Sequence, residues 1–169
     1  MAGGQVARSV GSIEGIYRRH VQMVYRLCYS YLGSSAEAED ATQALFMKLV
    51  EHPRSFEGEE HEKAWLIVAA KNHCLDVLKS AARSRVVALD ERVLEPSVED
   101  EVLADEPSEA MRAILRLPEK YKDVVFLHYF EGKRTDEIAR MLGSPPSTIR
   151  NRLADARALL RKELGGGRT

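Results

Sequence analysis

Two adjacent prolines near the C-terminal end constrain this chain most. Residues 135–164 read TDEIARMLGSPPSTIRNRLADARALLRKEL. Proline lacks an N–H and its ring collides with the preceding turn, so Pro145 and Pro146 cannot lie inside a helix. They suit the first turn of a new one, with Ser144 as N-cap, where their missing N–H groups would be unpaired anyway. Gly143 then closes the helix before it. That earlier helix is capped by Thr135 and carries Asp136 and Glu137 at its positive end, with Ile138, Met141 and Leu142 facing inward. The later helix runs to about Leu164. Ile149, Leu153, Ala156 and Leu160 form its inner stripe, leaving Arg150, Asn151, Asp155 and Arg157 outward, with Thr148 near the start. A short helix, a tight turn and an arginine-bearing helix have the spacing of a helix-turn-helix, whose second helix enters a DNA major groove. Arginine and asparagine suit bidentate contacts to base edges. The bland alternative is a solvated basic face on a terminal helix.

Composition widens that picture. The chain has 169 residues, 44% hydrophobic, enough for one moderate core or two small ones. The net charge of -1 conceals a strong asymmetry. Residues 1–85 carry 11 basic and 10 acidic side chains, 86–110 carry 1 and 9, and 111–169 carry 13 and 7. An acidic middle thus precedes a basic end. Cys28 and Cys74 fit no CxxC or zinc spacing and read as two buried thiols in a reducing compartment. No apolar signal core and no run near 20 apolar residues appears, which points to the cytoplasm and against membrane insertion. His20, His52, His61, His73 and His128 form no ligand array, and no nucleophile elbow or phosphate-binding glycine loop is present. Neither a catalytic site, a metal nor a cofactor is expected.

The rest reads as helix. Ile13, Ile16, Tyr17, Val21, Val24, Cys28 and Tyr31 recur at close to 3.6 residues, and Gly33 is a plausible stop. Ser34 with Glu37 forms a capping box for a second helix whose inner face holds Ala38, Ala41, Leu45 and Leu49, ending at Pro53. A polar loop, residues 54–63, precedes a third helix from about Ala64 to Ala82. Residues 86–107 have acids and scattered apolar residues without period, so they read as a linker. Ser108 caps a helix to about Arg116, Leu117-Pro118 breaks it, and Glu119 to Phe130 forms the next. The expected fold is all-α, with two small helical domains, 10–85 and 108–164, joined by the acidic linker 86–107.

Three segments in series resemble the sigma-70 family of bacterial RNA polymerase sigma factors, in its extracytoplasmic-function group. AEDATQALFMKL, from Ala38 and its flanking glutamates onward, resembles the polymerase-binding helix of region two. AWLIVAAKNHCLDVLKS, from Ala64, resembles the helix that engages the minus-10 promoter element. LPEKYKDVVFLHYFEG, TDEIARMLG and STIRNRLADAR resemble region four, which reads the minus-35 element. The resemblance implies that Asp40 and Gln43, beside Phe46, Met47 and Val50, bind core RNA polymerase. Their i, i+3, i+4 spacing puts Asp40, Gln43 and Met47 on one exposed side, and an apolar patch there marks a partner. It implies that Phe56 and Asn72 surround a pocket for a flipped base. Trp65 is a further candidate with core packing as its alternative, and Lys71, Lys79, Arg83 and Arg85 would neutralise phosphates. Thr148, Arg150, Asn151, Asp155 and Arg157 would dock at the minus-35 element.

The function so implied is that of a non-enzymatic promoter-specificity subunit, held by core polymerase and promoter DNA and commonly restrained by an anti-sigma factor. The chain departs from the family at Ala44, where Glu is common, at the acidic run Glu57, Glu59, Glu60 and Glu62, at Val68, and at Asp155, where a base is usual. An aspartate can accept from cytosine N4, so an altered minus-35 preference is expected. Two other readings stand beside it: a free-standing helix-turn-helix operator-binding regulator, and a helical protein-binding adaptor that has lost DNA readout.

Overall fold

Gly33 and Ser34 set the first reversal of the chain. In the computed structural model, which describes residues 2–88 and 107–166 and places side chains over 13–84 and 107–163, α1 (Ala2–Leu32) ends at Gly33. Its φ of 70° is one that glycine adopts without a Cβ penalty. Ser34 is extended, and its Oγ accepts from Glu37 N at 3.3 Å to start α2 (Ser35–Glu51). The chain returns in α3 (Glu59–Ala88), and the three helices pack pairwise. Ala38, Ala41, Leu45 and Leu49 line the inner side of α2 as their period requires, joined by Thr42 and Phe46. Leu66, Ile67, Ala70 and Cys74 form the stripe of α3.

The buried face of α1 is rotated from the one its apolar residues suggest. Ile16, Met23, Val24, Leu27, Cys28 and Tyr31 are buried, whereas Ile13 and Val21 are half-buried and Tyr17 is 47% exposed. The cause is His20, which is buried and meets Glu62 of α3, Nε2 to Oε1 at 2.8 Å. Arg19 donates to the same oxygen from Nε at 3.1 Å and Nη2 at 2.8 Å. The loop is also shorter than its polarity suggests. Glu59, Glu60 and Glu62 belong to the first turn of α3, where the helix dipole favours carboxylates. Glu62 is therefore internal structure, and Glu57 alone of the four stays in the loop.

The second set of helices begins at Ser108, whose Oγ accepts from Met111 N at 3.1 Å. It comprises α4 (Glu109–Leu115), α5 (Glu119–Val125), α6 (Thr135–Leu142) and α7 (Pro146–Gly166). The helix expected over residues 119–130 widens after Val125 into a π-helical turn, Phe126–Phe130, with Phe126 and Phe130 stacked at 5.3 Å. Both helix starts in the motif move by one residue. Arg134, not Thr135, is the N-cap of α6, with Glu137 Oε1 accepting from its backbone N at 3.3 Å and its Nε at 3.0 Å. Pro146 alone is the first residue of α7, so Pro145 takes the flanking position given above to Ser144. Between them Gly143 has φ 64°, and Ser144 N reaches back to Ala139 O at 3.0 Å, a left-handed helix stop. Ile138, Ile149, Leu153 and Ala156 fill the core with Phe126 and Leu127, while Met141, Leu142 and Leu160 are half-buried.

The chain thus divides into two compact units, Met1–Glu101 and Val102–Thr169, each all-helical among the described residues. Helix α3 reaches Ala88, so residues 86–88 of the expected linker are helical; 89–106 lie outside the described residues.

Two buried charges set testable limits on stability. Replacing Glu62 by leucine leaves His20 buried without its acceptor, and a loss of about 2–4 kcal/mol is expected in urea unfolding. Glu62→Gln, which keeps one oxygen acceptor, should lose less. In the second unit, the Lys122 ammonium is buried and donates to Leu115 O at 3.0 Å, and burial lowers its pKa from 10.5 to about 8. Below pH 8 it is charged folded or unfolded, and the burial cost is present in full. Between the two values the unfolded chain holds a proton that the folded one has released, so stability rises with pH there. Relative to Lys122→Met, the natural chain should gain about 3 kcal/mol across that window. An unchanging difference between the two unfolding midpoints would refute the assignment.

Candidate nucleic-acid and protein interfaces

The N-terminal turns of α7 stand clear of the core. Arg150, Asn151 and Asp155 are exposed and Thr148 is half-buried. Asn151 and Asp155 lie one turn apart on the same side, and Arg150 lies near the line of Arg157, two turns on. Arg157 is exposed as well, yet its Nε donates to Tyr129 Oη at 3.2 Å. That bond orients the guanidinium toward the π-helical turn, whose Tyr129 is 53% exposed.

On α3, Trp65, Asn72 and Lys79 are spaced by seven residues, and Arg83 falls four beyond Lys79. Seven residues are nearly two turns, so these side chains share one face over about 27 Å of helix. Asn72, Lys79 and Arg83 are exposed and Trp65 is half-buried. Trp65 and Asn72 also line a cleft of about 610 Å³ with Lys48, Arg54, His73 and Asp76. The Arg54 guanidinium lies 5.2 Å over the Trp65 ring, a cation–π pair at the cleft's edge. His73 has its pKa lowered by burial and by Lys48, with Asp76 opposing, which favours the neutral ring.

The other residues expected there separate from this face. Phe56 is half-buried and packs on Trp65 at 5.8 Å and His61 at 5.3 Å, outside the cleft lining. It anchors the loop, and Glu57 N donating to His61 Nδ1 at 3.1 Å closes that turn. Lys71 is about 100° around the helix from Asn72, half-buried and engaged elsewhere. The side chain of Arg85 lies outside the described residues. Sequence reading missed Lys48, Arg54, His73 and Asp76. The seven- and eleven-residue spacings from Trp65 to Asn72 and Asp76 were the available signal for the α3 members.

Helix α2 is amphipathic in an unusual sense. Opposite its core stripe, Asp40 and Gln43 are exposed together with Met47 at 54% and Val50 at 52%. Phe46 is a correction: it is 6% exposed and turns to the flank between α1 and α2. Its ring meets Tyr17 edge-on at 5.0 Å, so the exposed aromatic beside this patch is Tyr17. Nothing within α2 announced that exchange, because it depends on the rotation of α1.

In the second unit an apolar groove of about 670 Å³ opens between α4, the π-helical turn and α7, lined by Ala113, Ile114, Val125, Phe130 and Leu160 with Arg157 and Arg161 at its rim. Among the described residues no helix is long and apolar enough to cross a membrane, and no three potential metal ligands converge.

Comparison with known proteins gives these surfaces a context. Residues 16–84 match the family model for Sigma-70 region 2, and residues 108–160 match that for Sigma-70, region 4. The chain is 30% identical to the extracytoplasmic-function (ECF) RNA polymerase sigma factor SigW of Bacillus subtilis, over 83% of this chain and 82% of that protein. It is 28% identical to the ECF sigma factor SigM of Mycobacterium tuberculosis, over 91% and 78%. The fold is similar to that of the sigma factor RpoE, solved with the anti-sigma factor NepR from Bartonella quintana. The TM-score is 0.71 at 19% identity, over 91% of this chain and 97% of that one. The chain belongs to the ECF group of sigma-70 factors, the promoter-recognising specificity subunits of RNA polymerase.

Proposed function

We propose a division of labour by surface. The Asp40, Gln43, Met47 and Val50 side of α2, extended by Tyr17, docks on core RNA polymerase. The α3 face of Trp65, Asn72, Lys79 and Arg83 holds the minus-10 element, with the cleft beside Trp65 accepting an unstacked base. Thr148, Arg150, Asn151 and Asp155 read the minus-35 element, and Arg157 acts from its bond with Tyr129. The first role belongs to 10–85, the last to 108–164, and the acidic stretch 86–107 joins them. With 86–88 continuing α3, about 18 of these residues remain and reach at most about 60–65 Å when extended, enough for both elements to be held at once. The polymerase supplies the chemistry and this chain supplies none, working in the cytoplasm without cofactor or metal.

The observation that carries this reading is the shared α3 face. An aromatic ring and an amide sit beside a cleft, and two cations continue the same line along the helix. Stacking and an amide serve an extruded base, and the cations serve a phosphate chain without reading sequence. Of the acidic residues that would oppose a DNA strand, Glu62 is spent on Arg19 and His20, while Glu57, Glu59 and Glu60 stay exposed. The neighbouring RpoE structure contains an anti-sigma factor. By analogy an anti-sigma factor would cover the apolar stripe of α2 or the groove lined by Ile114 and Phe130. Family membership does not favour the free-standing regulator or the adaptor without DNA readout.

Reconstituted transcription from a promoter library with core polymerase tests the assignment. Met47→Glu or Val50→Asp should weaken core binding by about tenfold or more while leaving the unfolding midpoint in place, because both side chains are already in water. Phe46→Ala should act instead on stability, losing about 3 kcal/mol. Equal core binding by all three variants would sink the α2 assignment. For the second element, Asp155→Arg should shift the preferred minus-35 bases away from a cytosine-bearing sequence by about tenfold. An unchanged preference would show that Asp155 stays outside the groove.

A further inference from the structure

The apolar groove of the second unit has a lining and a charge that together describe its occupant. Ala110, Ala113 and Ile114 recur at i, i+3 and i+4 along one side of α4 and form one wall. Phe130 and Leu160, both half-buried, form the other. Arg157 and Arg161, one turn apart on α7, stand exposed at the rim. Each commits its Nε, Arg157 to Tyr129 Oη at 3.2 Å and Arg161 to the Arg157 carbonyl at 3.4 Å. Among the described residues no carboxylate pairs with either, so the terminal nitrogens of both forks face outward as donors suited to an acid. An ion pair from Arg116 to Glu163 at 3.0 Å joins the end of α4 to α7 and sets the two walls against each other.

The stretch of chain directly before α4 has the complementary sequence. Residues 89–106 carry eight acidic side chains and one basic, against 13 basic and 7 acidic over 111–169. The part nearest α4 reads EDEVLADE, residues 99–106. Val102, Leu103 and Ala104 are bracketed there by Glu99, Asp100 and Glu101 before and by Asp105 and Glu106 after. An apolar triplet for the walls thus lies between carboxylates for the rim. Ser108 starts α4, so the chain arrives beside Ala110, at one end of the groove. The five residues from Leu103 to Ser108 span at most about 17 Å, whereas the seven of α4 make about 10 Å of helix. The segment can therefore double back along the whole wall. So short a tether also gives it a local concentration in the millimolar range, so that modest contacts suffice.

We propose that residues 99–106 of this chain dock in the groove between α4, the π-helical turn and α7. Val102 and Leu103 lie against Ile114, Phe130 and Leu160, and the flanking carboxylates pair with Arg157 and Arg161. Apolar burial supplies the attraction, and the charges fix the register, because a shifted segment would press a carboxylate onto an apolar wall. Both ion pairs are at the surface, so docking weakens as salt rises. Docking also shortens the connection between the units. With 99–106 held, residues 89–98 alone are left to span and reach at most about 35 Å, so docking and full extension of the linker exclude each other. A protein partner for this groove must displace the segment.

Photocrosslinking of the full chain carrying Ala104→p-benzoylphenylalanine tests this. Irradiation at low salt, followed by tryptic digestion and mass analysis, should give a monomeric product in which position 104 is joined to peptides containing Ile114, Phe130 or Leu160. The pair Val102→Ser and Leu103→Ser should lower that yield about threefold or more, and so should Arg161→Glu. Arg161 is exposed, so its variant should keep the natural helical circular dichroism and unfolding midpoint. Raising the salt to about 0.5 M should lower the yield as well. Links between two chains would assign the groove to a second copy, and links into residues 13–84 would put the segment on the first unit. A yield indifferent to the serine pair, to Arg161→Glu and to salt would reduce the contact to chance proximity. Each of these three results overturns the proposal.

Discussion

A single buried carboxylate organises the first unit. Glu62 Oε1 accepts from His20 and twice from Arg19, joining the start of α3 to the middle of α1. Apolar side chains can slide past one another at little cost, whereas a buried charge tolerates few arrangements because leaving it unpaired is expensive. The carboxylate therefore selects a register, and the register selects the faces. It turns His20 inward, which rotates Tyr17 out onto Phe46. It also leaves Trp65, Asn72 and Lys79 on the side of α3 away from the core. The position in the first turn of α3 adds the favourable sign of the helix dipole.

Much of this architecture can be read directly from local chemistry. Gly33, Ser34, Ser108 and Gly143 mark helix ends through conformations and hydrogen bonds that involve only neighbouring residues, and each acts where the pattern puts it. The stripe Ala38, Ala41, Leu45 and Leu49 follows from helical period alone. What resists reading is whatever a distant residue decides. A histidine in an apolar stripe looks like an interruption until Glu62, 42 residues on, is found beside it. Phe46 looks like a neighbour of exposed Met47 until Tyr17 claims its ring. The acidic run looked like a loop because charge is a surface signal, though a helix N-terminus accepts the same residues.

The candidate interfaces follow the same division. The spacing of Asp40, Gln43 and Met47 and the outward set Arg150, Asn151 and Asp155 are one-helix properties, visible as period. The cleft near Trp65 is a property of three segments at once: Lys48 from α2, Arg54 from the loop, and Asn72, His73 and Asp76 from α3. No period within one segment encodes it. Phe56 illustrates the difference, since its family position suggests the pocket while its contacts tie it to Trp65 and His61 behind the loop.

Helix α2 explains why one small unit can present two working faces. Its core side begins with Ala38, Ala41 and Thr42, residues small enough to let the backbone lie close to its neighbours, and adds Leu45 and Leu49 only toward the far end. Close approach secures the helix with half of its circumference, so the opposite half can keep Met47 and Val50 in water. Exposed apolar side chains on a helix already anchored elsewhere contribute nothing to its own fold. Their burial is available to a partner surface, and Asp40 and Gln43 beside them supply direction to a contact that apolar area alone would leave unspecific. The folding code and the docking code of α2 are thus written on opposite sides of the same seventeen residues.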